Sequence, residues 1–416
     1  MRSFLYLKLF FLLLFFIPVY LQAQTLKELL HTFASKNNLV RSATFSNSSK
    51  EQELESQKST YYPTLDLGAY YQRLDDRTFL VPGDIYTAFA KLSFDIYDGG
   101  KRSATVSQKN KELESSVYDK EALKKSIALS IVEDFYTLKN AQATQKALLQ
   151  AQKSLKAQLQ RVTRFYEANV ATKDDVDKLQ SVYDSNEYTI DSLDFQIFSL
   201  KKTLELKVGV TIEKLEDAHF LKSESVTLET LDTTKALIAK KESLSNAAKS
   251  LQSVYYPHIR VEDTYSFSAY GRTDALHPEG LDKQNKILLT LNMRLYDNAS
   301  VSKTKESVLL SSYALNEQII YKTKEQKLQH ELAVQRIKTS QSKIRSAKSA
   351  LKSAKSAFEN IEKKYSAGVV DNVAYLDALS ILSNAQAQYK ISLHDLELAY
   401  AMYYFYSGEN IEEYLQ

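Results

Sequence analysis

The chain has 416 residues, a formal net charge of +3 and no cysteine. Nothing in a charge so close to neutral marks a nucleic-acid binder, and the Lys-rich runs alternate with Glu and Gln as solvated helix faces do. The missing thiols exclude disulfides and a lipid attached to an N-terminal cysteine.

Residues 1–23 read as a signal peptide: Arg2 and Lys8 at the start, an apolar core from Leu9 to Ile17, and a cleavage point at Ala23. Leu21 fits the −3 position imperfectly, and a retained membrane helix is the competing reading, although the apolar run is short for a span. No later stretch is long and apolar enough to cross as a helix. From Thr25 to Thr60 the pattern is helical, with Leu26, Leu29, Leu30 and Phe33 on one face. Pro63 stops it, and alternation of period two takes over at Leu65, Leu67, Ala69 and Tyr71. After a Pro82-Gly83 turn comes a cleaner strand, with Tyr86, Ala88, Ala90, Leu92, Phe94 and Ile96 on one face and Thr87, Phe89, Lys91, Ser93 and Asp95 on the other.

Tyr97-Asp98-Gly99-Gly100 ends that strand, and no Gly or Pro recurs until Gly209. Residues 101 to 166 therefore predict one helix about 98 Å long. A break at Ala168-Asn169-Val170 precedes a second helix from Thr172 to Lys207, which Gly209 caps. Residues 210–230 read as a connecting loop, and a helix follows from Leu231 to Val254.

The order then repeats. Tyr255-Tyr256-Pro257 answers Tyr61-Tyr62-Pro63, a strand carries Ile259, Val261, Tyr265, Phe267 and Ala269 on one face, and a fourth runs from Ile287 to Leu295. A loop with Gly271, Pro278 and Gly280 joins the two. A long helix over 299–365 shows an a/d seam: Ile337, Ile344, Leu351, Phe358 and Tyr365 fall seven apart, with Ala347, Ala354 and Ile361 between them. Gly368 breaks it, and the last helix runs from Asn372 to Tyr406, ending at Gly408. Tyr97 and Tyr296, Asp98 and Asp297, Tyr166 and Tyr365, and Gly209 and Gly408 each lie 199 residues apart. The layout is thus a signal peptide (1–23), a first repeat (24–209), a connecting segment (210–230), a second repeat (231–408) and a tail (409–416), each repeat built around a long helical hairpin.

Strands of about ten residues, apolar on one face and charged only on the other, suit a transmembrane barrel with a wet lumen. The same pattern fits a half-buried soluble sheet. Tyrosine tips the balance: eleven of 28 fall within 61–97 and 255–296, several at strand ends, where an interfacial girdle belongs. Four strands cannot close a barrel, and lipid does not tolerate open sheet edges, so several chains would have to complete one.

In this order of elements, with the Tyr-Pro entries at Pro63 and Pro257, the seams at Tyr97-Asp98-Gly99-Gly100 and Tyr296-Asp297, and Tyr365-Ser366-Ala367-Gly368, the chain resembles the TolC-type outer-membrane efflux protein family. The resemblance implies a mainly α chain with a membrane β-barrel part. Four strands per chain would enter a 12-strand barrel of a homotrimer, and the duplicated hairpins would form an α-barrel across the periplasm. It implies a passive exit duct of a tripartite efflux pump or type I secretion system in a Gram-negative outer membrane, with a periplasmic adaptor and an inner-membrane pump as partners. It also implies a gate at the helix tips. Tyr365 matches the family's tyrosine, and Asp175, beside Asp174, its acidic partner. Val370 stands where an arginine is expected, Ala374 replaces the first aperture aspartate and Asp377 matches the second, which implies one acidic ring and an easier opening. A periplasmic adaptor or coiled-coil scaffold is the alternative, but an adaptor shows one hairpin rather than two.

No enzyme and no cofactor are expected. The six histidines are scattered, and His330-Glu331 lacks the second histidine of a zinc helix because Val334 occupies its place.

Overall fold

The computed structural model describes residues 24–76, 82–223, 226–271 and 282–416. The predicted signal peptide, and with it Pro278 and Gly280, lies outside them. Each half of the chain runs from helix (two in the first half, one in the second) through two strands to a long helix and a shorter one. The first half holds α1 (Leu26–Lys36), α2 (Asn38–Ser59), β1 (Thr64–Arg73), β2 (Asp84–Asp98), α3 (Lys101–Glu167) and α4 (Lys173–Val208). The second holds α5 (Asp232–Gln252), β3 (His258–Gly271), β4 (Lys283–Asn292), α6 (Ser300–Ser366) and α7 (Asn372–Tyr406). Among the described residues no helix is long and apolar enough to cross a membrane.

The chain divides into two compact units, each drawing on both halves. One takes in residues up to Arg41, Leu123–Glu229 and Gln326–Gln416. Its main core joins Leu26, Leu29, Leu30 and Phe33 of α1 to Ile131, Val132, Phe135 and Leu138 of α3 and Tyr400, Tyr403 and Tyr404 of α7. Thr25 starts α1 with a capping box to Glu28. Gly209 ends α4 at φ 83°, where a Cβ would lie 2.9 Å from the Lys36 carbonyl oxygen. The predicted seam of α6 faces inward here, and it extends back through Ala333 and Ser340, both under 5% exposed.

The other unit, Ser42–Ala122 and Thr230–Glu325, carries the sheet. Its four strands are antiparallel in the order β1-β2-β3-β4, so β1 and β4 are both edges. Tyr71 faces Tyr86 across the β1–β2 ladder and stacks on it at 4.8 Å. On the opposite face Thr87 and Ser268 share a hydrogen bond of 3.1 Å, and Arg260 donates to both carboxylate oxygens of Asp95. The burial is inverted relative to a water-soluble sheet. Leu67 is 81% exposed and Ile287 71%, whereas Thr87 on the polar face is buried.

Two expectations need correction. β4 ends at Asn292 rather than at Leu295, because its partner β3 begins at His258, just after Pro257, and Asn292 pairs with that first residue. The charges are not confined to one face either. Asp263 sits between Leu92 and Ile287 on the apolar face, and Lys283 pairs with Phe267 on the same face.

Both strand-to-helix seams use one device. Asp98 accepts hydrogen bonds from the Gly100 and Arg102 amides, and Asp297 accepts one from the Val301 amide. The following pair is left-handed each time: Gly99 and Gly100 at φ 68° and 83°, Asn298 and Ala299 at 53° and 62°. Ala299 pays the steric penalty of that conformation, about 1–2 kcal/mol. Ala299→Gly is accordingly expected to stabilise the chain by about 1 kcal/mol after glycine's greater flexibility is offset. The check is thermal unfolding in detergent; an unchanged or lower midpoint would contradict it.

Candidate functional site at the hairpin tips

The two hairpin turns repeat bond for bond. After α3, the Asn169 amide donates to the Tyr166 carbonyl at 2.9 Å and the Val170 amide to that of Phe165 at 2.7 Å. After α6, Gly368 donates to Tyr365 at 3.1 Å and Val369 to Lys364 at 2.8 Å. Asn169 (φ 57°) and Gly368 (φ 75°) supply the left-handed residue, as the sequence predicts. The second helix of each hairpin then opens on a cap. Thr172 accepts from the Asp175 amide at 3.2 Å, and Asp371 accepts from the Ala374 amide at 3.0 Å.

Behind the turns lies a small apolar core of Leu155, Val162, Leu179, Phe358, Tyr375 and Leu379. Tyr375 is its centre: fully buried, with its ring stacked on Tyr365 at 4.9 Å and 5.6 Å from Phe358. Burial pushes its phenol up to about 12 and also raises that of the half-buried Tyr365. Both hydroxyls therefore stay protonated at neutral pH.

The predicted gate residues separate into distinct roles. Asp175 closes the Thr172 capping box and also accepts from Asn372 Nδ2 at 3.0 Å, a bond between the two hairpins. Asp174 pairs with Lys178 at 2.5 Å on the exposed surface of α4, and its carboxylate raises the lysine's pKa. Tyr365 lies against Tyr375. Val370 lines a cleft with Asp175, Tyr365 and Asn372. Ala374 is half-buried and Asp377 exposed, one turn apart along α7.

Sequence reasoning missed Arg161, Asn372 and Tyr375. Arg161 of the first hairpin donates to the Ser366 carbonyl of the second at 3.1 Å. Its guanidinium lies 5.3 Å from the Phe165 ring centroid and 5.9 Å from that of Tyr365. The hairpins thus gain a cation from position 161 although Val370 supplies none. Tyr375 had a signal in the period of buried positions Asn372, Tyr375, Leu379 and Ser383; Arg161 had none. Among the described residues no group of acidic or histidine side chains could hold a metal ion.

The fold, a duplicated hairpin chain whose four strands expose their apolar face, is similar to that of solved outer-membrane channel protomers. Residues 29–191 match the family model described as outer membrane efflux protein, and the resemblance read from the sequence is borne out. The fold is similar to that of the Campylobacter jejuni CmeC outer membrane channel, with a TM-score of 0.81 at 15% identity over 92% of this chain and 85% of that one. It is also similar to the outer membrane protein VceC of Vibrio cholerae (0.76, 17%, 93% and 96%). The open state of the Neisseria gonorrhoeae MtrE outer membrane channel gives 0.75 at 12% identity, over 93% and 89%. No curated protein matches the sequence significantly.

Proposed function

We propose that the chain is the outer-membrane exit duct of a tripartite efflux pump or type I secretion system. It works as a homotrimer that passively conducts substrates out through the periplasm and the Gram-negative outer membrane. One observation carries this reading: the sheet exposes its apolar face and leaves both β1 and β4 as edges. Water does not favour the exposed face and lipid does not accept the open edges, so the sheet is complete only when several copies join into one barrel, three of them by the resemblance. Energy would come from an inner-membrane pump reached through a periplasmic adaptor, as the resemblance to the efflux ducts implies.

The gate belongs to this proposal. Three copies of Asp377 around a narrow opening repel one another and attract cations. Ala374 leaves that ring single, and the Asn372–Asp175 and Arg161–Ser366 bonds hold the hairpins together behind it. Light scattering of the mature protein in detergent should give three chains per particle. In planar bilayers Asp377→Asn should lower the cation preference severalfold at unchanged trimer yield. A detergent-free monomer would defeat the duct reading, and unaltered selectivity in the variant would defeat the role of Asp377 alone.

A further inference from the structure

A cleft of about 540 Å³ opens between α3 and α7 of the first compact unit, well away from the hairpin turns. Ala143, Ala147 and Leu351 give it an apolar floor. Its rim is basic: Lys139, Lys146 and Lys390 stand against a single carboxylate, Asp217.

These charges are unequally used. Lys139 is largely buried and fixed, donating to Asp217 at 2.7 Å and to the Leu215 carbonyl at 3.0 Å. That bond holds the Asp217 carboxyl below the usual range and satisfies the one acid present. Lys146 and Lys390 have no ion-pair partner among the described residues, and the field of Lys390 reaches both Asp217 and His394. His394 is held in place through Nδ1, 2.7 Å from Asn140 Oδ1. Burial and the neighbouring lysines lower its pKa against the pull of Asp217 and Asp395, so it faces the cleft as a neutral ring at physiological pH. The cleft thus combines a small apolar patch with two lysines that form no ion pair among the described residues and with the neutral polar groups of Gln142, Gln150, Gln386 and Tyr389.

We propose that this cleft binds an amphiphilic organic anion, a rigid apolar body bearing one carboxylate or sulfonate. The body lies on Ala143, Ala147 and Leu351, and the head group reaches Lys146 and Lys390. Its volume lies within the range of small-molecule sites. An inorganic anion would use the lysines but leave the apolar floor unfilled. The proposal does not depend on the duct reading, because binding is read on the protein itself and not through transport.

The test is isothermal titration of the full mature protein in a neutral maltoside detergent, with naphthalene-2-sulfonate as the probe and a micelle blank subtracted. The expected result is one saturable site per chain that the neutral naphthalene-2-methanol does not fill. Sodium sulfate at matched ionic strength should compete only weakly. The double variant K146E/K390E should weaken binding by about tenfold or more, and the milder K146Q/K390Q, which removes the charges without reversing them, should also weaken it and decides the matter where the reversal disturbs folding. Both lysines are exposed, and retained helical circular dichroism verifies the fold. Absence of a saturable site, equal binding of the neutral probe, full competition by sulfate, or unchanged affinity in K146Q/K390Q would each overturn the proposal.

Discussion

Asn372→Asp is expected to open the hairpin tips and raise channel open probability by about tenfold or more. The substitution keeps the shape of the side chain and removes its donor. In the native protein Asn372 is 5% exposed, and its amide gives Asp175 a hydrogen bond of 3.0 Å between the hairpins. A bond to a charged acceptor contributes about 1.5–3 kcal/mol. The aspartate adds repulsion between two close carboxylates. Asn372→Ala loses the bond without adding the charge and should open the channel less. Acidification protonates one carboxylate of the pair, so it should close the aspartate variant and leave the alanine variant open. The exchange Asn372→Asp with Asp175→Asn restores a donor facing an acceptor, and asparagine can still serve the Thr172 cap. Single-channel recording decides the matter: if Asn372→Asp stays as closed as the native channel, the bond does not hold the gate.

Tyr404→Ala should cost about 3–5 kcal/mol, the loss of a large buried aromatic. Tyr404 is fully buried and stacks on Tyr414 at 3.8 Å. Its hydroxyl donates to the Leu221 carbonyl and accepts from the Ser223 amide. The same strip of chain is held by Glu397, which accepts from the Phe220 amide at 2.7 Å, and by a bridge from Phe220 to Leu415. Alanine removes the ring that joins the connecting segment, α7 and the C-terminal turn. Amide exchange in residues 215–223 and 411–416 should then speed up well before that of α3. Tyr404→Phe keeps the stack and strands two backbone groups, a loss of about 1–3 kcal/mol. A phenylalanine variant as unstable as the alanine one would mean that the hydroxyl, not the stack, carries the attachment. Native stability in the alanine variant would remove the role of Tyr404 altogether.

Much of this fold was legible in the chain because its determinants are short-range. The seam from Ile337 to Tyr365 follows from a seven-residue period, the four strands from alternation, and the left-handed turns at Asn169 and Gly368 from what those side chains permit. The 199-residue repeat then carried each assignment to its counterpart. Two features depart from that pattern: Asp263 keeps the alternation of β3 but places a carboxylate on the apolar face, and β4 stops at Asn292 because its pairing partner starts at His258. The contacts between the hairpins were a different matter. Tyr365, Asp175 and Asp377 could be proposed by resemblance, but nothing near Arg161 in sequence points to the Ser366 carbonyl, 205 residues on, or near Asn372 to Asp175, 197 residues back. The sequence by itself determined the elements, their duplication and the exposed apolar face of the sheet. Only the tertiary structure decided which side chains join the hairpins, because those bonds form between segments whose spacing is set by helix packing rather than by any period along the chain.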